Sequence, residues 1–183
     1  ERTTTPGDLL EREWLLTNGT GGYSMGTALG CNTRRYHGLL VAAAHPPVGR
    51  VLALNQVFDQ LILTDQSNGG VAESPVQSIE LGSCLFRDEH GQPVHAPQGD
   101  RVIHEFKRAL TVQWTYRWGE LTVERELILH DGEQAVTLQY RVTGLKALGG
   151  CAKLRVAPML TLRDFHGLRR CDETAEGFTV RAT

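Results

Sequence analysis

A six-residue run near the amino end of the sequence concentrates polar side chains that are capable of binding or catalysis. The run contains Asn32, Arg34, Arg35, Tyr36 and His37. Guanidinium and amide groups donate hydrogen bonds in fixed planes, a phenol ring adds an apolar face, and an imidazole titrates near neutral pH. This inventory suits a sugar site. The same residue types also form ion pairs inside folded proteins, so a structural role stays open for each of them.

A second candidate group is Arg163-Asp-Phe-His166. In a strand, Asp164 and His166 share one face and Arg163 and Phe165 share the other. An Asp and a His on one face can form an acid–base unit. A hydrogen-bonded pair that holds a loop is the simpler interpretation, and we favour it.

Other site classes find little support. Gly19-Thr-Gly-Gly22 lacks the third glycine of a dinucleotide fingerprint, since position 24 is Ser, and it lacks the strand-to-helix context. The seven histidines show no spacing typical of metal ligands. The four cysteines form no Cys-x-x-Cys pair, which favours reduced thiols. We therefore expect no metal and no cofactor.

Composition limits the function classes further. The 183 residues include 19 basic and 21 acidic ones, with a formal net charge of −2, which argues against a nucleic-acid partner. No apolar run reaches the roughly 20 residues of a membrane span. The amino end has no signal peptide, so we expect a cytoplasmic protein that contacts no membrane.

The elements that must position these residues are predicted to be β-strands. Apolar residues alternate with polar ones from Leu110 to Trp118, from Leu121 to Leu129 and from Val136 to Val142, and Asp131-Gly132 predicts a hairpin turn. A further strand begins at Ala152, before Pro158. Four consecutive strands with short turns predict an antiparallel meander.

The amino-terminal half is less regular. Residues 9–16 fit either a helical turn or a first strand, and residues 50–63 fit either two strands joined near Asn55 or one long bent strand. The stretch from 71 to 100 predicts short strands, and Gly177–Thr183 predicts another. The predicted fold class is mainly β, with two packed antiparallel sheets.

Both polar segments resemble a known family. Glu13-Trp-Leu-Leu-Thr-Asn-Gly-Thr-Gly-Gly-Tyr23, followed by Asn32-Thr-Arg-Arg-Tyr-His-Gly-Leu-Leu40, is similar to the amino-terminal domain of bacterial and archaeal-type glycogen debranching enzymes. Leu162-Arg-Asp-Phe-His166 resembles a later segment of that domain. The resemblance extends over essentially the whole chain, and it is weakest between about residues 71 and 100.

The resemblance implies a fold and a parent enzyme. The expected fold is a galactose mutarotase-like β-supersandwich over residues 1–183, truncated at its carboxyl end. In the family a helical (α/α) barrel follows and hydrolyses α-1,6-glucosidic bonds in glycogen. The two carboxylates of such a glycosidase are expected in that barrel, which this chain does not contain.

The resemblance therefore implies a non-catalytic domain that braces the helical catalytic domain and helps to shape the α-glucan cleft. Its expected partners are that domain of the same protein and, for substrate, an α-glucan such as glycogen. The residues expected at the interface or at the substrate entrance are Asn32, Arg34, Arg35, Tyr36, His37, Arg163, Asp164 and His166. Two alternatives remain open: an aldose epimerase-type enzyme with His166 or His37 as acid, and a carbohydrate-binding module.

Overall fold

The computed structural model describes residues 6–45, 48–64, 75–145 and 151–168. Within these ranges the elements follow in the order α1 (Pro6–Glu11), β1 (Glu13–Thr17), β2 (Tyr23–Thr27), β3 (Gly38–His45), β4 (Gly49–Thr64), β5 (Pro75–Glu80), β6 (Ser83–Arg87), β7 (Pro93–Gln98), a 3-10 turn (Gly99–Val102), β8 (Ile103–Arg108), β9 (Val112–Trp118), β10 (Leu121–Leu129), β11 (Val136–Thr143) and β12 (Cys151–Asp164). The strand predicted at Gly177–Thr183 lies outside the described residues.

The strands form two main sheets and a separate hairpin. The larger sheet has the order β1-β2-β3-β4-β12, and β5 also pairs with β4. The smaller sheet has the order β11-β10-β9-β8, and β6 pairs with β7. Every pairing is antiparallel. The prediction of a mainly β fold built from antiparallel sheets is confirmed.

The amino-terminal ambiguities have simple outcomes. Residues 9–16 contain both predicted forms, because α1 ends at Glu11 and β1 begins at Glu13. Residues 50–63 lie in one continuous strand, β4. Met159 of β12 pairs with Gln56 and Leu160 pairs with Leu54, so the intervening residue of β4 is a bulge. One long bent strand is therefore the correct alternative.

The predicted meander is present only in part. The strands β9, β10 and β11 pair in sequence order, but β12 pairs with β4 of the larger sheet, so the prediction that the fourth strand continues the meander is wrong. Consecutive strands often pair, but nearness in sequence does not require it. Leu110 precedes β9 and is 93% exposed, although the alternation placed it with the buried residues of that strand. The strand predicted to begin at Ala152 begins at Cys151 and continues past Pro158 to Asp164. Proline is tolerated there because β12 lies at the edge of the sheet formed by the described strands, where one side of a strand needs no ladder hydrogen bonds.

The two sheets enclose one hydrophobic core. Trp14 of β1 and Trp114 of β9 meet edge to face, with ring centroids 5.7 Å apart. Both indole N–H groups are satisfied inside the protein, because Trp14 donates to the Thr27 carbonyl and Trp114 to the Ala28 carbonyl. The inward-pointing side chains of β1 and β2 therefore pack in the core. The side chains on the opposite face of these two strands face solvent.

A buried ion pair connects the sheets. Arg125 of β10 donates to both carboxylate oxygens of Asp59 of β4, at 3.1 and 3.0 Å. Tyr140 of β11 donates to the same carboxylate at 2.9 Å. The pKa of Tyr140 is raised, mainly by burial and next by the negative charge of Asp59. Its phenol therefore stays neutral and can donate. Asp59 is fully buried, and its charge is compensated within the core.

Among the described residues, no helix has the length and apolar character needed to span a membrane.

Candidate functional site

The fold brings the two polar segments of the sequence together. The loop before β3 contributes Arg35 and Tyr36, the end of β12 contributes Arg163, and the turn after β12 contributes His166. Arg163 Nη2 donates to the Arg35 carbonyl at 2.5 Å, and Arg35 Nη1 donates to the His166 carbonyl at 3.3 Å. The Tyr36 hydroxyl lies 3.2 Å from His166 Nδ1. Residues about 130 positions apart thus form one surface cluster.

The pairing of β12 with β4 places the second polar segment, which begins at Arg163, next to the loop before β3. Leu160 pairs with Leu54 and Arg163 pairs with Leu52, so β12 holds one extra residue between these pairs. Leu162 lies in this bulge and adopts a φ of 44°, which is rare for a branched residue. The bulge changes the direction of the strand just before Arg163.

Aromatic and guanidinium groups stack on one another in this cluster. The ring centroids of Tyr36 and Phe165 are 5.5 Å apart, and those of Phe165 and His166 are 3.9 Å apart. The Arg35 guanidinium lies 4.9 Å from the Tyr36 centroid, and that of Arg50 lies 5.5 Å from the Phe165 centroid. We call this set the arginine–aromatic patch; it comprises Arg35, Tyr36, Arg50, Arg163, Phe165 and His166.

The arginines of the patch hold main-chain carbonyls. Arg50 Nε donates to the Gly21 carbonyl at 2.7 Å, and Arg163 Nη1 donates to the Phe165 carbonyl at 3.2 Å. Burial lowers the pKa of Arg163, but an arginine still remains charged at neutral pH. The patch is therefore a hydrogen-bonded and cationic surface.

Asp164 and His166 form a turn. Asp164 Oδ1 accepts a hydrogen bond from the main-chain N–H of His166 at 2.8 Å. The carboxylate therefore holds the chain in an Asx turn. This is the loop-holding interpretation that the sequence favoured over an acid–base unit.

The other three predicted site residues lie away from the patch. Asn32 Nδ2 donates to the carbonyl and to the side-chain oxygen of Asn55, at 3.0 and 2.9 Å. Arg34 Nε lies 2.6 Å from Glu13 Oε1. The His37 side chain is fully buried. Asn32 and His37 therefore have partners within the fold, whereas the Arg34 side chain is 62% exposed and pairs with Glu13 at the surface.

His37 is held as a neutral imidazole. Its Nδ1 accepts from the Thr33 N–H at 3.1 Å, and its Nε2 lies 3.4 Å from Glu13 Oε1 without hydrogen-bond geometry. Burial lowers the pKa of His37 and outweighs the Glu13 carboxylate, which raises it. An acid in an epimerase must reach its substrate, so the burial of His37 argues against that role.

An open cleft of about 490 Å³ adjoins the patch. It lies against the face of β1 and β2 that points away from the core. Its lining includes Leu15, Thr17, Tyr23, Met25, Tyr36 and Arg50. Sequence reasoning missed Leu15, Met25 and Arg50, because single residues on the outer face of a strand carry no signal of what lies beside them in the sheet.

The cysteine with a histidine neighbour is inert. Cys31 is fully buried, and burial raises the pKa of its thiol to about 12. His95 Nε2 lies 4.0 Å from Cys31 Sγ and 3.0 Å from Asp100 Oδ1. Because one ring nitrogen makes both contacts, the arrangement is not a nucleophile–base–orienter relay.

Comparison with known proteins identifies one family. The family model described as "Glycogen debranching enzyme N terminal" matches residues 12–181. The match includes both segments that build the arginine–aromatic patch. Neither the curated proteins nor the solved structures gave a match.

Proposed function

The chain belongs to the family of glycogen debranching enzyme N-terminal domains, and we propose that it is a non-catalytic domain that braces the helical glucosidase domain of its parent enzyme. On this proposal it also helps to shape the cleft in which α-1,6-glucosidic bonds of an α-glucan are hydrolysed. The parent acts in glycogen breakdown, and its helical domain supplies the catalytic carboxylates.

The observation that carries the bracing role is an uncovered apolar surface on β12. Residues paired across a sheet point to the same side. Leu154 pairs with Leu61 and Val156 pairs with Asp59, and both partners are buried in the core. Yet Leu154 is 38% exposed and Val156 is 42% exposed. We call Leu154, Val156 and the exposed Pro158 the β12 stripe.

The β12 stripe has the character of an interface. Apolar side chains on the core side of a sheet are normally covered by another layer. Contiguous exposed apolar surface marks sites of protein contact. The helical domain is the partner proposed to cover it, since the family description places this domain in a larger enzyme.

The chemistry of the patch supports a role without catalysis. A glycosidase of the usual kind needs two carboxylates on either side of the scissile bond. Within the patch the adjacent carboxylate is Asp164, and it already accepts the His166 N–H. The patch offers guanidinium groups and aromatic faces, which are groups that position a sugar or a neighbouring domain.

The test is assembly in trans. The chain and the helical remainder of its parent are produced as separate polypeptides and mixed. We expect a stable complex that hydrolyses α-1,6-branched glucan faster than the helical part alone. The double variant Leu154→Lys with Val156→Lys is expected to weaken association by at least about tenfold, because lysine cannot be buried there without a partner.

Leu110→Lys is the matched control, since Leu110 is a 93% exposed leucine outside the β12 stripe. It is expected to leave association unchanged. If the unmodified chain and the double variant bind the helical part with equal affinity, the β12 stripe is not the interface. No complex under any condition would contradict the bracing role.

A further inference from the structure

The open cleft has a floor made of two cross-strand pairs on the solvent side of the larger sheet. In the register of β1 and β2, Leu15 pairs with Met25 and Thr17 pairs with Tyr23. Trp14 alternates with these residues and points into the core. The floor side chains are therefore free of core packing and face a volume of about 490 Å³, which lies in the range of small-molecule sites.

The walls of the cleft are fixed by hydrogen bonds. The Tyr23 hydroxyl donates to the Tyr36 carbonyl at 3.1 Å, and Arg50 Nε donates to the Gly21 carbonyl at 2.7 Å. Gly21 has a φ of 93°, and a Cβ there would lie 3.4 Å from the Ala43 Cβ. The positive φ, rather than the contact with Ala43, favours glycine at this end of the cleft. Because the walls are already ordered, a ligand loses little free energy in arranging them.

The lining is amphipathic, which decides the class of ligand. Leu15 and Met25 offer an apolar floor, Thr17 and Tyr23 offer hydroxyl groups, and Arg50 contributes one guanidinium. A phosphate needs several converging donors and would face the apolar floor without benefit. A purely apolar ligand would cover the Arg50 guanidinium and the Thr17 hydroxyl without offering them a hydrogen bond in place of water. A neutral sugar ring has both an apolar C–H face and equatorial hydroxyls.

We propose that this cleft is a binding subsite for glucosyl units of an α-glucan chain, outside the catalytic centre of the parent enzyme. The choice of an α-glucan among sugars rests on the proposed function. The ring is placed with its C–H face on Met25 and Leu15 and with its hydroxyls toward Thr17, Tyr23 and Arg50. The subsite holds a glucan chain beside the arginine–aromatic patch.

Titration of the isotope-labelled 183-residue chain with maltotetraose tests the subsite by NMR. We expect saturable shift changes at Leu15, Thr17, Tyr23 and Met25, and weaker binding of the β-linked cellotetraose. Thr17→Trp fills the cleft from its floor and is expected to weaken maltotetraose binding by at least about tenfold. Met25→Gln keeps the side-chain length but adds a polar group, and a loss of about threefold is expected.

Thr143→Trp is the matched control, because Thr143 is likewise an exposed threonine that ends a strand, β11, away from the cleft. It is expected to bind maltotetraose like the parent chain. The proposal is overturned by the absence of saturable binding, by shifts confined to other surfaces, or by unchanged affinity in both cleft variants. It is also overturned if Thr17→Trp abolishes assembly in trans, since the cleft is then a domain interface. Assembly through the β12 stripe is measured separately, so either proposal can fail alone.

Discussion

His37 shows how far one residue's surroundings can change its role. As a histidine in a polar run it was a candidate for binding or acid catalysis. In the folded chain it is fully buried and bonded to the Thr33 N–H. Residue type and spacing are visible in the sequence, whereas the desolvation that removes the charge of His37 comes from the elements packed around it.

The buried His37 predicts a dependence of stability on pH. Its pKa is lowered in the folded chain, so below about pH 6.5 the unfolded chain binds a proton that the folded chain does not. This contribution is complete above about pH 6.5 and is lost as the pH falls toward the folded-state pKa. His37→Asn keeps an acceptor near the position of Nδ1. We expect this variant to lose less unfolding free energy than the parent between about pH 7.5 and about pH 5.5.

Urea unfolding at both pH values provides the measurement. His90→Asn serves as control, because the His90 side chain is 77% exposed, and it should keep the parent's pH dependence. Identical pH dependence in the His37 variant and the parent would show that His37 titrates normally.

At the scale of elements, the sequence predicted the regular strands well and the irregular ones poorly. The alternation of apolar and polar residues in β9, β10 and β11 is visible because one face of each strand is more buried than the other. The continuation of β12 past Pro158 carried no such signal. Its outward face and its core-side β12 stripe are both exposed, so alternation reports nothing about burial there.

Two glycines that flank β11 offer a test of backbone geometry. Gly132 lies in the turn before this strand and Gly144 directly follows it. Gly132 has a φ of 74° and open space around it, whereas Gly144 has a φ of 86° and a Cβ there would overlap the Glu120 carbonyl oxygen. Gly132→Ala is expected to cost about 1–2 kcal/mol of unfolding free energy from backbone strain alone. Gly144→Ala is expected to cost about 1–3 kcal/mol more, because overlap adds to the same strain.

Chemical denaturation of the two variants side by side measures the difference. Each glycine is the other's control for positive φ. A smaller loss for Gly144→Ala than for Gly132→Ala would mean that the turn after β11 relaxes to accept the methyl group.

At the scale of the whole molecule, the contact between Asp59 and Arg125 ties one sheet to the other. Arg125→Met leaves the Asp59 carboxylate buried without its arginine partner. We expect a loss of about 3–5 kcal/mol of unfolding free energy. Arg141→Met removes an exposed arginine 3.8 Å from Glu124, and a change within about 1 kcal/mol is expected. Urea unfolding of both variants measures the contrast. Similar losses in the two variants would show that Asp59 finds another partner or takes up a proton.

The sequence by itself determined the fold class and the family. Alternation with period two reports a half-buried strand wherever it occurs, and the run from Asn32 to Leu40 identifies the family without any knowledge of contacts. Both are local properties of the chain.

Only the tertiary structure decided which of the candidate residues act together. Arg35 and Tyr36 meet Arg163 and His166 because a bulged β12 pairs with β4 over its full length. Asn32, Arg34 and His37 lie in the same run, but their side chains contact Asn55, Glu13 and the Thr33 main chain rather than the patch. The cleft and the β12 stripe likewise exist only as surfaces between strands. Such surfaces depend on which elements are neighbours, and neighbours in a sheet are set by long-range pairing rather than by local sequence.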